Sequence, residues 1–311
     1  MASLQLSDRR SRLVGIALVS SSSVFFGTIP IFAAVLSRAG VGVWVQVAAR
    51  FTVSALIFSA GFLLITGKRP PLPSRADLLF PLVNGTLLLL AFATYILSIA
   101  LGTPPNKVIV ISFLFPLFAV LFGGIFLKEP LTLRKWAALA VGFAGIVLTL
   151  EVWTLDSLAS IQIGDLFALM NSVMVGLILV VGRWGRSRRR IPPLNLTLWS
   201  FGVALGLLSI LGLLDILLNG GAQIAQQLAF DRADPGLILG LLGIATLSTA
   251  IPYLLMYTGL GRVHSSLAGI LLLPEVIAVF IMSAIFLGQP VGGWQVAGAA
   301  VILLAGLMVM R

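Results

Sequence analysis

The sequence predicts an all-α membrane protein with ten transmembrane helices, built as two inverted five-helix repeats with both termini in the cytoplasm. Three observations predict it. Of 311 residues, 59% are hydrophobic and only 10% charged, at a mean hydropathy of +1.12, whereas soluble domains carry about 25% charged residues. Apolar runs long enough to span a bilayer recur along the chain, and they are continuous rather than alternating, which argues against a β-barrel. The second half of the chain repeats ordered features of the first.

The elements follow from apolar runs bounded by proline, glycine and charge. Ten helices are expected at about 12–37, 42–66, 77–101, 106–127, 133–150, 161–182, 194–219, 236–260, 264–287 and 292–310. The first begins after Arg9, Arg10 and Arg12, a signal-like start. Its apolar stretch continues through Leu36, too long for a signal h-region, so it is read as an uncleaved helix. Gly202 and Gly206, and Gly236 and Gly240, are spaced four apart as close helix contacts require. The six tryptophans sit near helix ends, as an interfacial belt does.

Sixteen of the twenty Lys and Arg residues fall on one side of this arrangement. They include Arg9, Lys68, Arg69, Lys128, Lys135, the run Arg186–Arg190 and Arg311, while Arg38, Lys107 and Arg232 fall on the other side. Positive charge is retained in the cytoplasm, which orients the chain in a bacterial inner membrane. The net charge of +10 is thereby assigned to topology and anionic lipid, not to nucleic acid.

Tyr95, Leu101, Gly102, Pro116, Leu127, Pro130, Ala144 and Gly145 recur as Tyr253, Leu260, Gly261, Pro274, Leu287, Pro290, Ala305 and Gly306, at offsets of 158 to 161. Five helices per half is an odd number, so equivalent parts face opposite sides. The charges agree: Lys128, Arg134 and Lys135 follow Leu127, whereas the loop after Leu287 has none. Inverted repeats are a transporter device. The halves divide at about 1–155 and 156–311.

Composition narrows the function classes. The chain has no cysteine and one histidine, which excludes thiol chemistry, disulfides and most metal sites. No Gly-x-x-x-x-Gly-Lys-Ser/Thr run occurs, so nucleotide drive would need a partner. Beyond Asp77 and Glu129 the basic loops hold almost no acid, which speaks against an enzyme that assembles metal-binding carboxylates. No cofactor is expected. The partners expected are a small-molecule substrate and the bilayer, with a monomer sufficient for transport. A channel or scaffold is the reading from a different class.

Arg50 with Tyr95 and Leu101-Gly102, then Pro116, Phe126-Leu127-Lys128-Glu129-Pro130, Gly142 and Gly145, resembles the drug/metabolite transporter superfamily in its ten-helix EamA-type form. Pro274, Phe286-Leu287-Gly288-Gln289-Pro290, Gly298 and Gly306 repeat the theme. The chain is also similar to bacterial aromatic amino-acid exporters of the YddG type. That resemblance implies export of small metabolites, often amino acids, through a central cavity opened alternately to each side. The chain departs from the pattern in having Gln289 where the first half has Glu129, and in the embedded Glu275.

Candidate site residues follow from polar groups placed in apolar spans. Gln46, Arg50 and Ser54 lie on one helical stripe. Arg50 would serve either as counter-ion to a substrate carboxylate or as a structural lock. Glu275 would meet a substrate ammonium, carry a proton, or neutralise Arg50 or His264. Asn84, Tyr95 and Ser98 share one face, Thr246, Thr249, Tyr253 and Tyr257 another, and Asn171 a third. Interior tyrosines offer an apolar wall with a hydroxyl handle. Pro30, Pro116, Pro252 and Pro274 mark helix breaks, read either as gating and binding points or as packing kinks. The assembled expectation is a secondary transporter exporting neutral or aromatic amino acids. Multidrug or other metabolite efflux is the alternative.

Overall fold

The computed structural model describes residues 2–68, 70–103, 105–154, 162–228, 234–288 and 292–310, and they are helical with no strand among them. Arg69, Arg232, Gln289, Pro290, Arg311 and the division at 155–156 lie outside the described residues.

The first half contains α1 (Ala2–Phe26), α2 (Ile29–Arg38), α3 (Val43–Thr66), α4 (Leu79–Ala100), α5 (Pro105–Ser112), α6 (Phe115–Leu127) and α7 (Leu133–Thr149). The second contains α8 (Ile163–Ser187), α9 (Pro193–Asn219), α10 (Ala222–Gln227), α11 (Pro235–Ala245), α12 (Ile251–Leu260), α13 (Ser265–Leu271), α14 (Glu275–Leu287) and α15 (Gly293–Met310). Joined across their breaks, these helices give eight segments long and apolar enough to cross a membrane: Arg9–Arg38, Val43–Leu64, Leu79–Ala100, Lys107–Leu127, Ile163–Ser187, Pro193–Asn219, Pro235–Leu260 and Ser265–Phe286. Helices α7 and α15 are shorter, at 17 and 18 residues.

Polarity is distributed as a bilayer demands. Leu213, Leu214, Ile216, Leu217 and Leu218 on α9 are exposed, while Ser22, Ser54, Asn84, Ser248 and Thr249 are buried. Lipid is as apolar as leucine, so association depends on close packing and interior hydrogen bonds.

That close packing falls on glycines other than those the spacing suggests. Helix α15 lies on α7 so tightly that a Cβ on Gly298 would stand 2.6 Å from the Gly145 carbonyl oxygen. Gly15 on α1 and Gly259 on α12 make a similar approach, a Cβ on Gly259 meeting the Gly15 carbonyl oxygen at 2.9 Å. Gly202 and Gly206 face open space, Gly236 meets only Asp234, and Gly240 meets Leu36. The first pair makes no helix contact because α9 turns that face outward, and of the second pair only Gly240 closely approaches another helix, α2 at Leu36.

Proline sets the breaks. Pro30 lies in the first turn of α2, Pro116 in that of α6 and Pro252 in that of α12. Pro274 directly precedes α14. Each lacks an N–H and crowds the carbonyl four residues back, so the helix before it stops or shifts register. Before Pro252 the backbone widens into a π-turn over Thr246–Ala250.

Two boundaries and one helix differ from expectation: α1 begins at Ala2, ten residues before position 12. Helix α8 continues to Ser187, five residues beyond position 182, and carries Arg183 and Arg186 in its final turns. Arg183 Nη1 donates to the Leu260 carbonyl at 2.8 Å and Arg186 Nε to the Tyr257 carbonyl at 2.9 Å. These guanidinium groups satisfy carbonyls at the end of α12 and so extend the helix that presents them. Helix α10 was not expected; its Gln227 Oε1 accepts from the Trp44 N–H at 3.1 Å.

Candidate functional site

The interior of the bundle gathers α1, α3, α4, α9 and α12 around Arg50. Arg50 is only 4% exposed. Its Nε donates to Thr249 Oγ1 at 2.7 Å, and its guanidinium carbon stands 4.3 Å from the centre of the Phe92 ring. Thr249 in turn donates to the Ile244 carbonyl, five residues back, at 2.8 Å. That bond exists because the π-turn leaves this carbonyl open to a side chain. Among the described residues Nη1 and Nη2 make no hydrogen bond, yet neither is sealed from water.

Glu275 belongs to the same electrostatic neighbourhood, along with Tyr253 and Tyr95. Arg50 and Glu275 do not form an ion pair within 4 Å among the described residues. The Glu275 carboxylate and the hydroxyls of Tyr95 and Tyr253 make no hydrogen bond to the described protein and are not sealed either. Glu275 is half-buried although protein surrounds it. Its carboxylate thus lies inside the bundle without being sealed from water.

Aromatic rings pack beside these groups. Tyr253 meets Phe26 edge-on at 5.1 Å, Phe201 at 5.3 Å and Tyr257 at 6.0 Å. Phe51 links Phe201 at 5.5 Å to Phe92 at 5.7 Å. The arrangement brings an unpaired cationic fork, an unpaired carboxylate and a packed aromatic cluster into one neighbourhood inside the bundle.

Other candidates are engaged elsewhere. Tyr257 is fully buried and its hydroxyl accepts from Asn84 Nδ2 at 2.6 Å. Asn171 donates to the Ala91 carbonyl at 2.7 Å and ties α8 to α4. Ser98 is buried with no hydrogen-bond partner for its hydroxyl, and its carbonyl lies against Gly164. Gln46 donates to the Val41 carbonyl at 3.0 Å, and Ser54 to that of Ala245 at 2.8 Å. Thr246 turns back on the Leu242 carbonyl at 2.6 Å and leaves the shared face, because the π-turn shifts the register by one residue. Ser248 takes the inward position and shares a 2.6 Å hydrogen bond with Thr28, beside the break at Pro30.

His264 lies at the basic end, far in chemistry from Glu275. Its charged neighbours are Glu129, Lys135, Arg183 and Arg12. Here Glu129 Oε1 accepts from the Ser265 N–H at 2.8 Å and hydroxyl at 3.0 Å, and Oε2 from those of Ser266 at 3.0 and 2.7 Å. A carboxylate from the α6–α7 loop thus caps α13 across 136 residues of chain. Burial pushes this carboxyl up, but the hydrogen bonds from Ser266 and Ser265 and the charge of His264 outweigh it, leaving Glu129 below its ordinary value. Burial lowers His264, and Lys135, Arg183 and Arg12 lower it further against the pull of Glu129.

The EamA-like transporter family model matches residues 13–151 and again residues 162–311. The chain belongs to the EamA-like transporter family. It is therefore a multi-pass membrane transporter of the drug/metabolite superfamily. The S-adenosylmethionine uptake transporter of Rickettsia bellii is 35% identical over 104 residues, which is 33% of this chain and 34% of that protein. The match spans about a third of that relative's length. An uncharacterized transporter of Archaeoglobus fulgidus is 22% identical over 222 residues, 71% of this chain and 73% of that one. A solved crystal structure of a protein superposes with a TM-score of 0.72 at 18% identity over 96% of both chains, and so shares the fold.

Within this family member, sequence reasoning missed the ring set of Phe26, Phe51, Phe92 and Phe201. Phenylalanines are expected throughout a membrane protein, and only helix packing selects these four. Phe51 beside Arg50 and Phe92 three residues before Tyr95 were the available signals.

Proposed function

We propose that this transporter exports small α-amino acids with apolar or aromatic side chains from the cytoplasm, through the Arg50–Glu275 site. One observation carries the reading: a guanidinium fork and a carboxylate, neither paired among the described residues, lie in one electrostatic neighbourhood beside a cluster of aromatic rings. The carboxylate of an amino acid would dock on Nη1 and Nη2, a geometry guanidinium favours. Its ammonium would face Glu275, and its side chain would lie on Tyr253 and Phe26. Tyr95 would set the depth of the solute through its hydroxyl.

In this reading the chain crosses a bacterial inner membrane ten times, α7 and α15 included, with both termini cytoplasmic. Halves 1–155 and 156–311 form inverted repeats that rock about the site to give alternating access, as a monomer. The breaks at Pro30, Pro116, Pro252 and Pro274 then serve as gating points. The twofold family match and the paired breaks α5–α6 and α13–α14 support it.

S-adenosylmethionine is the second reading, favoured by the Rickettsia relative's name. It too is an α-amino acid, with a sulfonium and a purine for the rings to meet.

Uptake and counterflow of labelled phenylalanine, threonine, methionine and S-adenosylmethionine in proteoliposomes tests both. Saturable counterflow of an amino acid, lost in Arg50→Gln, is the expected result. Counterflow of S-adenosylmethionine alone selects the second reading. Transport of none of them overturns the site assignment.

A further inference from the structure

At the basic end of the bundle, α6, α8 and the start of α13 enclose a hollow of about 170 Å³ lined by Lys128, Glu129, Arg183, Ser187, Arg188 and His264. We propose that this hollow binds a phosphate-bearing anion through Lys128, Arg183, Arg188 and His264, with the Ser187 hydroxyl as a neutral donor.

The charge balance points there. Three cationic side chains, with the His264 imidazole beside them, meet one carboxylate, and that carboxylate is already used: each Glu129 oxygen accepts two hydrogen bonds from Ser265 or Ser266. None of the four basic groups forms an ion pair within 4 Å with an acid among the described residues. Arg183 is half-buried with one nitrogen on the Leu260 carbonyl, which fixes the direction of the remaining fork. An anion with several acceptor oxygens matches such a set.

The backbone supplies independent support. Lys128 ends α6 in the left-handed region, at φ 56°. The equivalent residue ending α14 is Gly288, at φ 66°. Glycine adopts that conformation freely, and a lysine does not. The chain therefore keeps a strained lysine where its own repeat uses glycine, and strain of that kind marks side chains held for a purpose. Lys128 is among the residues that line the hollow.

Position favours a lipid as the source. The apolar segments Lys107–Leu127 and Ile163–Ser187 both end at this hollow, which sets it at headgroup level. A free phosphate compound offers the same chemistry, so the test separates the two.

The full chain would be placed in nanodiscs of phosphatidylcholine, with or without phosphatidylglycerol. Retained phosphatidylglycerol is counted by native mass spectrometry, and inorganic phosphate is titrated separately against thermal stability. Lys128→Gly should match or exceed the wild-type melting temperature, since it removes backbone strain. It should nevertheless retain the anion about tenfold more weakly, as loss of one charge-assisted hydrogen bond predicts. Lys128→Gln, which keeps the strain and loses only the charge, should show the same weakening. Arg75→Gln, a basic residue of the α3–α4 loop that does not line the hollow, should bind as wild type. Retention of phosphatidylglycerol alone identifies a headgroup, and a phosphate response lost in both Lys128 variants identifies a soluble anion. The proposal is overturned if wild type responds to neither, or if both Lys128 variants respond as wild type does.

Discussion

Arg50 and Thr249, 199 residues apart, are joined by a 2.7 Å hydrogen bond from Nε to Oγ1 in the buried centre of the bundle. The bond occupies Nε, which removes the side-on Nε/Nη grip and leaves the end-on Nη1/Nη2 pair for a two-point grip on a carboxylate. It leaves Nη1 and Nη2 directed into the interior and fixes the plane of the fork against Phe92.

Thr249→Val should therefore impair binding without touching the solute. Loss of a hydrogen bond to a charged group costs about 1.5–3 kcal/mol. The expected outcome is a raised KM for counterflow and a lower melting temperature, with Thr249→Ser restoring both. Unchanged KM in the valine variant would show that the fork does not hold the solute.

Glu275→Gln and Asn171→Ala should separate site from scaffold. Asn171 holds the Ala91 carbonyl, so its loss should cost about 1 kcal/mol of stability with little change in KM. Glu275 has no hydrogen bond to the described protein, so Gln should leave stability nearly intact and raise the KM for amino acids. Thermal unfolding and counterflow on the same preparations read both.

Acid stability should fall in two steps. His264 is held below its ordinary value of about 6.5, so the unfolded chain takes up its proton first and stability declines as pH falls below that value. Glu129 is held below the ordinary carboxyl value of about 4.3. Its contribution is complete above that value and is lost as pH falls through the folded one. His264→Gln should remove the upper step and Glu129→Gln the lower. Melting temperature measured from neutral to acid pH checks this, and an unchanged profile in either variant counts against the corresponding assignment.

Gly298→Ala should separate α15 from α7, since the added Cβ would stand 2.6 Å from the Gly145 carbonyl oxygen. A cost of about 1–3 kcal/mol is expected for such overpacking. Gly202→Ala meets open space and should gain up to about 1 kcal/mol from helix propensity. Opposite shifts in melting temperature are the expected readout.

Much of this was legible in the chain. Apolar run length placed most helix limits to within a few residues, the start of α1 and the end of α8 excepted, because a bilayer allows few ways to satisfy backbone polarity. The stripe of Gln46, Arg50 and Ser54 marked an interior face correctly, since charge is driven out of lipid. Sequence could not separate Tyr253 from Tyr257. Both share a polar face, yet Asn84 occupies only the second hydroxyl.

Hydropathy and charge, which act locally and in one dimension, sufficed for the membrane class, the helix limits and the family motifs. The partners of each buried polar group were decided in three dimensions. The π-turn before Pro252 moved Thr246 off the shared face and kept Thr249 on Arg50. Glu129 was drawn to the N-terminus of α13, leaving Arg50 and Glu275 unpaired in the interior. A hydrogen bond depends on distances of a few tenths of an ångström between residues far apart in sequence, and only packing sets those distances.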